Sequence, residues 1–297
     1  MKAQGYFVSA ILYGSFQYSR KKKTEALAAE KNDKVDLRSS LPLWSSEKLV
    51  VPISSLKDQR LTEPFFYIVY DYRTRSPKYV VEYLTRSSLQ SSSSYESKRP
   101  NFYPDKSIPS HQFRVNPKDY NDSRYDRGHL APAADFSAEL YKETFTMANI
   151  SPQTSNLNKG FWARFEAFLR ILLSPTSMNY MPSTFDDMLI ITGPVYAPSF
   201  INDRWVYVHQ TIGSFPQLIT VPSHFYKIII GGISEKVGKR TIVVGAYLVP
   251  NNNSIDKKTP LRHFMVRLDQ LEAIGIYFYV YRLNAVLPID FDQTCLV

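Results

Sequence analysis

The sequence predicts a mixed α+β fold with a central sheet and helices on its faces. Hydrophobic residues make up 44% of the 297 residues, which suits a globular chain with a sizeable core. Runs rich in aromatic and β-branched residues recur along the chain, and three segments have the apolar spacing of helices. Because no composition break is visible between residues 60 and 290, we predict one domain over residues 60–297, preceded by a targeting and linker segment over residues 1–59.

Net charge and cysteine content narrow the classes of function. The formal net charge is +9, a surplus that is typical of proteins with a polyanionic partner such as nucleic acid or an anionic membrane surface. Simple solubility explains the same surplus equally well. Cys295 is the one cysteine of the chain, which excludes an intrachain disulfide and a cysteine-based zinc site.

The first 23 residues have the composition of a targeting segment. A mostly apolar run from Tyr6 to Phe16 is followed by the basic cluster Arg20–Lys23. The apolar run is too short and too interrupted for a membrane span, and its basic charges follow it, unlike those of a secretory signal. The composition favours a mitochondrial presequence or a weak anchor, with an unstructured terminus as the alternative.

The first predicted element of the domain is a β-hairpin. The run PFFYIVYDYRT over residues 64–74 and the run KYVVEYL over residues 78–84 have strand composition and flank a turn at Thr74–Pro77. Four consecutive serines at 91–94 then predict a flexible polar loop. Residues 104–128 are rich in proline, aspartate and asparagine, so we expect them to form loops as well.

The remaining elements are predicted from apolar periodicity. Helical spacing is found at Ser137–Met147, Asn158–Leu173 and Pro260–Leu271. Short buried strands are predicted at Met188–Gly193, Ser223–Gly231 and Thr241–Val249.

The tetrad DRGH, at Asp126–His129, is the first candidate for a functional site. It is followed by LAPAADF, a run of small and apolar residues. A charged tetrad usually belongs to a solvated surface turn, and a lone histidine is more often structural than catalytic. The forty residues that follow contain a set of polar side chains that favours a site: Asn149, Asn156, Asn158, Arg164 and Glu166.

Asn158 and Glu166 are eight residues apart in a predicted helix. Eight residues are slightly more than two turns, so both side chains are expected on one face. An amide oxygen and a carboxylate form a hard-oxygen set that suits Mg²⁺. The alternative is that Asn158 caps the helix and Glu166 lies on its solvated side.

These motifs together resemble a known family. DRGHLAPA, then NISPQ at 149–153 and LNKGFWARFE at 157–166, are similar to motifs of the DNA/RNA non-specific nucleases of the ββα-metal class, and of their mitochondrial members in particular. YDYRTRSPKYVVEYL resembles the opening hairpin of that family, and ITGPVY, VPSHFYKIII and YLVPN resemble its later strands. The resemblance implies a ββα-metal nuclease fold with a central antiparallel sheet flanked by helices.

The resemblance also implies roles for individual residues. His129 would be the general base that deprotonates the attacking water. Asn158 would be the one direct protein ligand of the metal, and Glu166 would orient the hydrated ion through a bound water. Asn149 would lie beside the site and help to position the phosphate or the histidine.

Two arginines are expected to contact phosphate by the same resemblance. Arg127 fits such a contact, with an ion pair to Asp126 as the alternative. Upstream, Arg99 lies where the family has a phosphate-binding arginine. Arg86 and Lys98 remain alternatives to Arg99, because the alignment is loose across the serine run.

Three further residues near the motif receive structural interpretations. Asp126 is expected to orient the turn of the tetrad, and Gly128 to give the backbone freedom before His129. Asp135 is interpreted as a surface or helix-capping residue ahead of the helix predicted at residue 137. The other histidines are assigned no role in the site: His111, His209, His224 and His263.

The function implied by the resemblance is a Mg²⁺-dependent, sugar-non-specific endonuclease that cleaves DNA and RNA to 5′-phosphate ends. Mn²⁺ is the expected substitute metal, and no small-molecule cofactor is expected. The resemblance further implies a homodimer in mitochondria, within the intermembrane space, that enters the nucleus on release and degrades DNA in apoptosis or turns over mitochondrial DNA.

Two alternative functions are considered on the same fold. A catalytically silent nucleic-acid-binding or scaffold protein is disfavoured because His129 and Asn158 are both present. An exonuclease-like mitochondrial paralogue is disfavoured because its C-terminal helical extension has no counterpart after the last predicted strand.

Overall fold

The protein is described by a computed structural model. It describes residues 34–36, 49–52, 59–62, 66–90, 99–137, 140–173, 185–234, 240–276, 279–280 and 287–288. The N-terminal apolar run, the four serines at 91–94, Lys98 and Cys295 lie outside these residues.

The described residues form seventeen strands, most of them in the C-terminal two thirds of the chain. They are β1 (Lys34–Asp36), β2 (Leu49–Pro52), β3 (Gln59–Thr62), β4 (Phe66–Asp71), β5 (Ser76–Thr85), β6 (Asp126–His129), β7 (Ile150–Gln153), β8 (Asp187–Val195), β9 (Ser199–Ile201), β10 (Arg204–Val206), β11 (Thr211–Ile212), β12 (Ile219–Thr220), β13 (His224–Ser234), β14 (Arg240–Pro250), β15 (Met265–Val266), β16 (Tyr279–Val280) and β17 (Leu287–Pro288).

Helical segments are fewer and shorter. The α-helices are α1 (Arg86–Gln90), α2 (Ala163–Leu173) and α3 (Leu268–Ala273). A π-helical segment, Leu157–Trp162, runs directly into α2. Turns of 3-10 helix lie at Pro117–Tyr120, Ala133–Asp135, Tyr141–Phe145, Met147–Asn149 and Leu261–Phe264.

The chain divides into two compact units. The smaller consists of Met1–Lys57 and Val266–Asn284, and contains the antiparallel sheet β1-β2-β16 together with α3. The larger consists of Asp58–Met265 and Ala285–Val297 and contains the tetrad and the helix that follows it.

A twisted antiparallel sheet is the centre of the larger unit. Its strands follow the order β14-β13-β8-β5-β4-β3, and β17 lies parallel to β14 at the far side. The central strands β5 and β8 pair from Val80↔Thr192 to Thr85↔Asp187. The long connection between these two neighbouring strands contains β6, β7 and α2. Every residue of the predicted site therefore comes from this one connection.

The core lies between this sheet and α2. The helix buries Phe165, Leu169 and Leu173, and the ring of Phe165 lies 4.6 Å from that of Tyr247 on β14. Trp162, at the end of the π-helical segment, packs against Phe225 of β13. Each buried side chain of this size contributes about 1.5–3 kcal/mol to folding. This packing fixes the helix to the strands that are the longest in the sheet.

The predicted α+β class, the hairpin β4–β5 and the strands β8, β13 and β14 are confirmed. The helix predicted at Asn158–Leu173 is confirmed in two parts, a π-helical segment followed by α2. Among the described residues, no helix is long and apolar enough to cross a membrane.

Two predicted helices and part of a predicted loop are wrong. Residues 140–149 form 3-10 turns, because the hydroxyl of Thr144 donates to the carbonyl of Tyr141 and that of Thr146 accepts from the amide of Ala148, in competition with helical hydrogen bonds. The predicted loop over residues 104–128 contains a 3-10 turn at Pro117–Tyr120 and the start of β6.

The helix predicted at Pro260–Leu271 is also interrupted. The chain is extended at Arg267, whose amide donates to the side chain of Gln270 at 2.8 Å. That contact begins a new helix, α3, instead of continuing the 3-10 turn at Leu261–Phe264.

Candidate active site

The tetrad forms a strand, where the sequence alone suggested a loop. Asp126–His129 pairs antiparallel with Ile150–Gln153, so that Asp126 faces Gln153 and His129 faces Ile150. A β-ribbon places His129 at a fixed end position, which a mobile surface turn would not do.

Gly128 is required for close packing, and the predicted need for backbone freedom is wrong. It lies in an extended strand, and a methyl group at its position would stand 2.5 Å from Cγ of Gln153 and closer still to the amide of that side chain. The absence of a side chain therefore leaves room for the side chain of Gln153 against the backbone of Gly128.

His129 lies among aromatic rings. Its ring centroid is 4.9 Å from that of Phe145 and 5.4 Å from that of Phe102. Its Nε2 atom is buried and has no hydrogen-bond partner among the residues that the structure describes. Burial and, to a smaller extent, the positive charge of Arg99 together lower the pKa of His129 to about 3. The imidazole is therefore neutral at physiological pH and presents a free nitrogen.

Asn149 holds the chain that follows His129. Its Nδ2 donates to the carbonyls of Ala131 and Thr144, both at 2.9 Å, and its Oδ1 accepts from the amide of Ala131 at 3.0 Å. Its backbone carbonyl also accepts from the amide of Leu130. Asn149 is fully buried, so of the two roles predicted for it, positioning the histidine fits this arrangement and contact with phosphate does not.

Arg99 and Arg127 are brought to the same aromatic rings as His129. The guanidinium of Arg99 lies 5.3 Å from the ring centroid of Phe145, and that of Arg127 lies 5.1 Å from Phe102. Arg127 also donates to the carbonyl of Pro117 at 3.1 Å, which fixes one end of its guanidinium. Both cations therefore lie around the histidine with donors left for an anionic ligand.

Arg86 is placed elsewhere. Its guanidinium donates to the carbonyl of Phe185 and pairs with Asp186 at 2.8 Å, at the start of β8. This location favours Arg99 over Arg86 as the upstream phosphate-binding arginine.

Asp126 pairs with groups other than Arg127. Its Oδ2 accepts from the Nδ2 of Asn158 at 3.0 Å, and its carboxylate also contacts Nζ of Lys159 at 3.1 Å. The ion pair between Asp126 and Arg127 that the sequence allowed is therefore replaced by a link between the tetrad and the helix. The same link turns the carbonyl oxygen of Asn158 away from Asp126, where it is available as a ligand.

Asn158 lies inside the helix and does not cap it. The N-cap position is Asn156, and Asn158 is the second residue of the π-helical segment. Segments of π-helix are rare and occur mostly at functional sites, because the wider turn moves side chains off the regular helical stripe. Glu166 follows in α2, where Ala163 begins the regular helix.

The prediction for Asp135 is wrong. It is 2% exposed and pairs with Arg170 of α2 at 2.6 Å, so it is neither a surface residue nor a cap. Asp135 can be buried because a buried carboxylate is tolerated when it forms an ion pair with a guanidinium, here that of Arg170. The chain that follows the tetrad is thereby joined to the helix that carries Asn158.

Sequence reasoning missed a set of charged groups beneath α2. Glu82 of β5 and Lys227 of β13 are fully buried and lie 3.8 Å apart, and Nζ of Lys227 donates to Thr192 at 2.7 Å. Burial raises the pKa of Glu82 well above its ordinary value, although Lys227 opposes the shift. A charged residue in the middle of each apolar strand, VVEYL and HFYKIII, was the signal that could have revealed this pair.

Glu166 shares this charged environment. Burial raises the pKa of Glu166 to about 8; Lys227 and Arg170 oppose the shift, and the neighbouring charge of Asp135 adds to it. The alternative to a metal role placed Glu166 on a solvated face of the helix. Its burial near Asp135, Arg170 and Lys227 disfavours that alternative.

The donor set fits a hydrated divalent cation. Among the described residues, no cluster of three or more histidine, cysteine, aspartate or glutamate side chains is present. Mg²⁺ does not need one, because it keeps several waters and accepts one or two protein oxygens. The oriented amide of Asn158 could supply one such oxygen, and a nearby cation would offset the cost of an ionised Glu166.

The remaining histidines are separate from this arrangement. His224 is buried at the start of β13, where its Nδ1 lies 3.0 Å from the hydroxyl of Ser223, and burial lowers its pKa to about 4. His111 and His263 are exposed on the surface. His209 lies in the loop after β10.

A β-ribbon that ends in a histidine, followed by a helix that presents an asparagine, on an antiparallel sheet, defines a nuclease of the ββα-metal class. The chain belongs to the DNA/RNA non-specific endonuclease family, whose model matches residues 48–283. It is therefore a hydrolase that acts as a nuclease.

Individual relatives agree with this assignment. A nuclease of Syncephalastrum racemosum is 34% identical over 237 residues, which are 77% of this chain and 68% of that protein. The mitochondrial nuclease EXOG of Xenopus laevis is 35% identical over 71% of this chain and 56% of that protein. The mitochondrial nuclease 1 of Schizosaccharomyces pombe is 37% identical over 72% of this chain and 63% of that protein. The chain thus spans between about half and two thirds of the length of these relatives.

A solved structure shares the fold. The crystal structure of the EndoG/EndoGI complex, which concerns the mechanism of EndoG inhibition, contains a chain with a TM-score of 0.65 and 28% sequence identity. The match covers 76% of this chain and 86% of that chain.

Proposed function

We propose that this chain is a Mg²⁺-dependent, sugar-non-specific endonuclease that hydrolyses phosphodiester bonds of DNA and RNA, leaving 5′-phosphate and 3′-hydroxyl ends. The observation that carries the proposal is the buried, unpartnered Nε2 of His129, which lies among the rings on which Arg99 and Arg127 stack. A neutral nitrogen next to two phosphate-binding cations is the arrangement that hydrolysis of a phosphodiester requires.

His129 is the general base of this proposal. Its Nε2 accepts the proton of the water that attacks phosphorus, and the β6–β7 ribbon holds the ring in place. The positive charge of Arg99 disfavours the protonated ring before substrate binds. An anionic phosphate beside Arg99 offsets that charge, so bound nucleic acid raises the pKa of His129 towards a range in which it is a better base.

Arg127 and Arg99 bind the phosphate oxygens. A guanidinium presents a planar fork of donors and stays charged at any working pH, so it contacts phosphate without reading the base. Contacts of this kind explain binding that is indifferent to sequence and sensitive to salt. The net charge of +9 supports the same conclusion.

Asn158, Asp126 and Glu166 are the residues that would hold and orient the metal. Asp126 fixes the orientation of the Asn158 amide, whose oxygen would then bind the metal, and Glu166 would orient the hydrated ion through a water. When bound, Mg²⁺ or Mn²⁺ supplies a positive charge that stabilises the phosphorane oxygens and the leaving 3′ oxygen. No small-molecule cofactor is part of the proposal.

A nicking assay tests the proposal and both alternatives. Supercoiled plasmid is incubated with the protein in Mg²⁺, in EDTA, and with His129→Ala in Mg²⁺. We expect nicking only for the unmodified chain with Mg²⁺, and because a circle has no ends, nicking separates an endonuclease from an exonuclease-like paralogue. Binding of plasmid by both chains without any nicking would support the silent nucleic-acid-binding alternative.

We further propose that the protein is a homodimer, joined through a surface around β9 and β10. Large apolar side chains are exposed there: Phe200, Ile201, Trp205, Tyr207 and Val208. Exposed apolar clusters of this kind are typical of protein interfaces. Sedimentation of Trp205→Ser beside Phe113→Ser, an exposed ring outside the cluster, tests this. A dimer that becomes a monomer only with Trp205→Ser supports the proposal, and an unchanged dimer contradicts it.

Residues 60–297 are proposed as the endonuclease domain and residues 1–59 as a targeting and linker segment. Relatives named as mitochondrial nucleases and the composition of the first 23 residues support a mitochondrial location. We place the protein in the intermembrane space, from which release in cell death would bring it to nuclear DNA. Fractionation of cells that express the full chain, before and after an apoptotic stimulus, tests both locations.

A further inference from the structure

A buried lysine lies beneath the helical segment that carries Asn158. Lys227 is fully buried in the middle of β13, and its Nζ lies 5.2 Å from the ring centroid of Trp162. This distance is within the range of a cation–π contact, which is strongest for indole rings and in sites without water. The lysine therefore contacts the ring that ends the π-helical segment.

Trp162 lies between the two residues that are proposed to serve the metal. It is four residues after Asn158 and four residues before Glu166. Side chains four positions apart are neighbours on one side of a helix, so the indole is next to both along one stripe. The ring is 1% exposed and also packs on Phe225 at 5.9 Å. Within the described residues no partner is found for its indole N–H, so contacts of the ring with Phe225 and Lys227 set its orientation.

The sheet fixes the position of Lys227. Its Nζ donates to the hydroxyl of Thr192 at 2.7 Å, and Thr192 lies directly opposite on β8. The carboxyl group of Glu82, on β5, is 3.8 Å from Nζ, which is longer than a hydrogen bond. Three neighbouring strands of the sheet thus hold the ammonium group at one place beneath Trp162.

Stability alone is a weak explanation for this lysine. Replacing a buried ion pair by apolar side chains of similar volume is often neutral or stabilising. The pair of Lys227 with Glu82 is long, and among the described residues neither side-chain oxygen of Glu82 has a hydrogen-bond partner. A methionine would fill the space of the lysine without a buried charge. Orientation of the ring above it therefore accounts better for a cation at this position.

We propose that Lys227 is a positioning residue for the metal site. Acting through Trp162, its ammonium group fixes the helical segment so that Asn158 and Glu166 face the same hydrated ion. The proposal rests on the endonuclease function and the metal residues proposed above. Lys227 contacts neither the metal nor the substrate, so its loss should lower the affinity for Mg²⁺ and leave cleavage at saturating Mg²⁺ almost unchanged.

The test is the affinity for Mg²⁺ alone, without DNA, of Glu82→Gln/Lys227→Met. This double variant replaces both members of the pair, so no unpaired charge remains buried. The rise of Tm with Mg²⁺ concentration gives an apparent Kd. We expect that Kd to rise about three- to tenfold, which is less than after loss of a group that contacts a ligand directly. Altered charge cannot explain this result, because the double variant removes a cation together with at most one anion.

Ile229→Val is the matched control. It removes a methyl group from a buried side chain on the same face of β13, two residues from Lys227, without a change of charge. Its Kd for Mg²⁺ should equal that of the unmodified chain. In cleavage of plasmid, kcat of the double variant at saturating Mg²⁺ should stay within about twofold of the unmodified chain. An unchanged Kd in the double variant, or an equal rise in Ile229→Val, overturns the proposal.

A double-mutant cycle tests whether the lysine acts through the ring. In a chain with Trp162→Leu, the substitutions at Glu82 and Lys227 should have little further effect on the Kd for Mg²⁺, because the ring that transmits the effect is absent. Additive losses would mean that Lys227 affects the metal site by another route, and would contradict the proposal.

Hydrogen exchange separates failure of this proposal from failure of the proposed function. Without metal or DNA, amides of residues 157–163 should exchange about three- to tenfold faster in the double variant, and those of residues 168–173 should be unchanged. Faster exchange in a protein whose unmodified form binds no Mg²⁺ would support the contact with the segment and reject the metal site. Equal exchange at residues 157–163 overturns the role of Lys227 even if the unmodified chain cleaves with Mg²⁺.

Discussion

Asn158 donates its side-chain amide to Asp126, three residues ahead of His129. This bond joins the strand that carries the proposed base to the helix that carries the proposed metal ligand. It also settles which face of the amide is free, because the nitrogen is occupied and the oxygen is not directed at the carboxylate. In the proposed mechanism Asp126 thus orients a ligand, which is a more specific role than orienting a turn.

Replacing Asp126 by Ala should weaken metal binding, because it removes the oxygen that accepts from the amide of Asn158. Loss of a group that orients a ligand typically lowers metal affinity about 10- to 100-fold, so the Mg²⁺ concentration for half-maximal cleavage should rise by that factor. Lys159→Gln removes the other partner of Asp126 and leaves Asn158 in contact, so it should change this concentration far less. Equal Mg²⁺ dependence in Asp126→Ala and the unmodified chain would show that Asn158 is oriented by something else.

Replacing Arg99 by Gln should move the acid limb of the pH–rate profile. The charge of Arg99 lowers the pKa of His129, so its removal raises that pKa, and the base becomes protonated at a higher pH. The limb of kcat/KM should therefore shift to higher pH. Arg99→Lys keeps the charge and should keep the limb in place while phosphate contact weakens. If the acid limb moved equally in Arg99→Gln and Arg99→Lys, the shift would result from altered geometry and not from the lost charge.

Glu166→Gln should stabilise the metal-free protein at alkaline pH. The pKa of Glu166 is raised to about 8 in the folded chain and is ordinary when unfolded, so folding loses stability as pH rises from about 4.5 to 8. Glutamine removes that loss. Thermal unfolding in EDTA should give a higher Tm for the variant at pH 8 and equal values at pH 4.5. Added Mg²⁺ should raise the Tm of the unmodified chain more than that of the variant, and an equal rise would remove Glu166 from the metal site.

Gly128→Ala should destabilise the fold through Gln153. The added methyl group meets the side chain of Gln153, and overpacking of this kind costs about 1–3 kcal/mol. Gln153→Ala in the same chain should restore most of the loss, because it removes the atoms that clash. Urea unfolding of the two single variants and the double variant measures the coupling. Additive losses would mean that the strand itself resists a side chain at residue 128.

The sequence could predict elements whose information is local. The hairpin β4–β5 and the strand β8 are continuous apolar runs, and such runs are buried wherever the chain places them. The site could be predicted because a charged tetrad at Asp126–His129 is followed, within forty residues, by Asn149, Asn158 and Glu166, which is an unusual set of polar residues. DRGH, by contrast, has no strand pattern, and it becomes a strand only because residues 150–153 pair with it.

Asp135 could not be placed for a similar reason. Its burial depends on Arg170, 35 residues later, and nothing near Asp135 in the sequence identifies that partner. The apolar spacing of residues 137–147 favoured a helix. The hydroxyls of Thr144 and Thr146 instead bond to nearby backbone groups, and the chain forms 3-10 turns there. Predictions failed where a single polar contact outweighed a pattern.

The π-helical segment has a consequence for insertions and deletions. In a regular α-helix, residues eight positions apart differ in azimuth by about 80°, since each residue turns the chain by about 100°. A π-turn of about 4.4 residues, entered at Leu157 and left at Trp162, reduces this difference between Asn158 and Glu166 to about 10°. Deletion of one residue between them, with closure of the wide turn, would leave a spacing of seven, which in a regular α-helix differs in azimuth by only about 20°. Such a deletion would therefore keep both side chains on one face, whereas a regular helix at the present spacing of eight would turn Asn158 about 80° from Glu166.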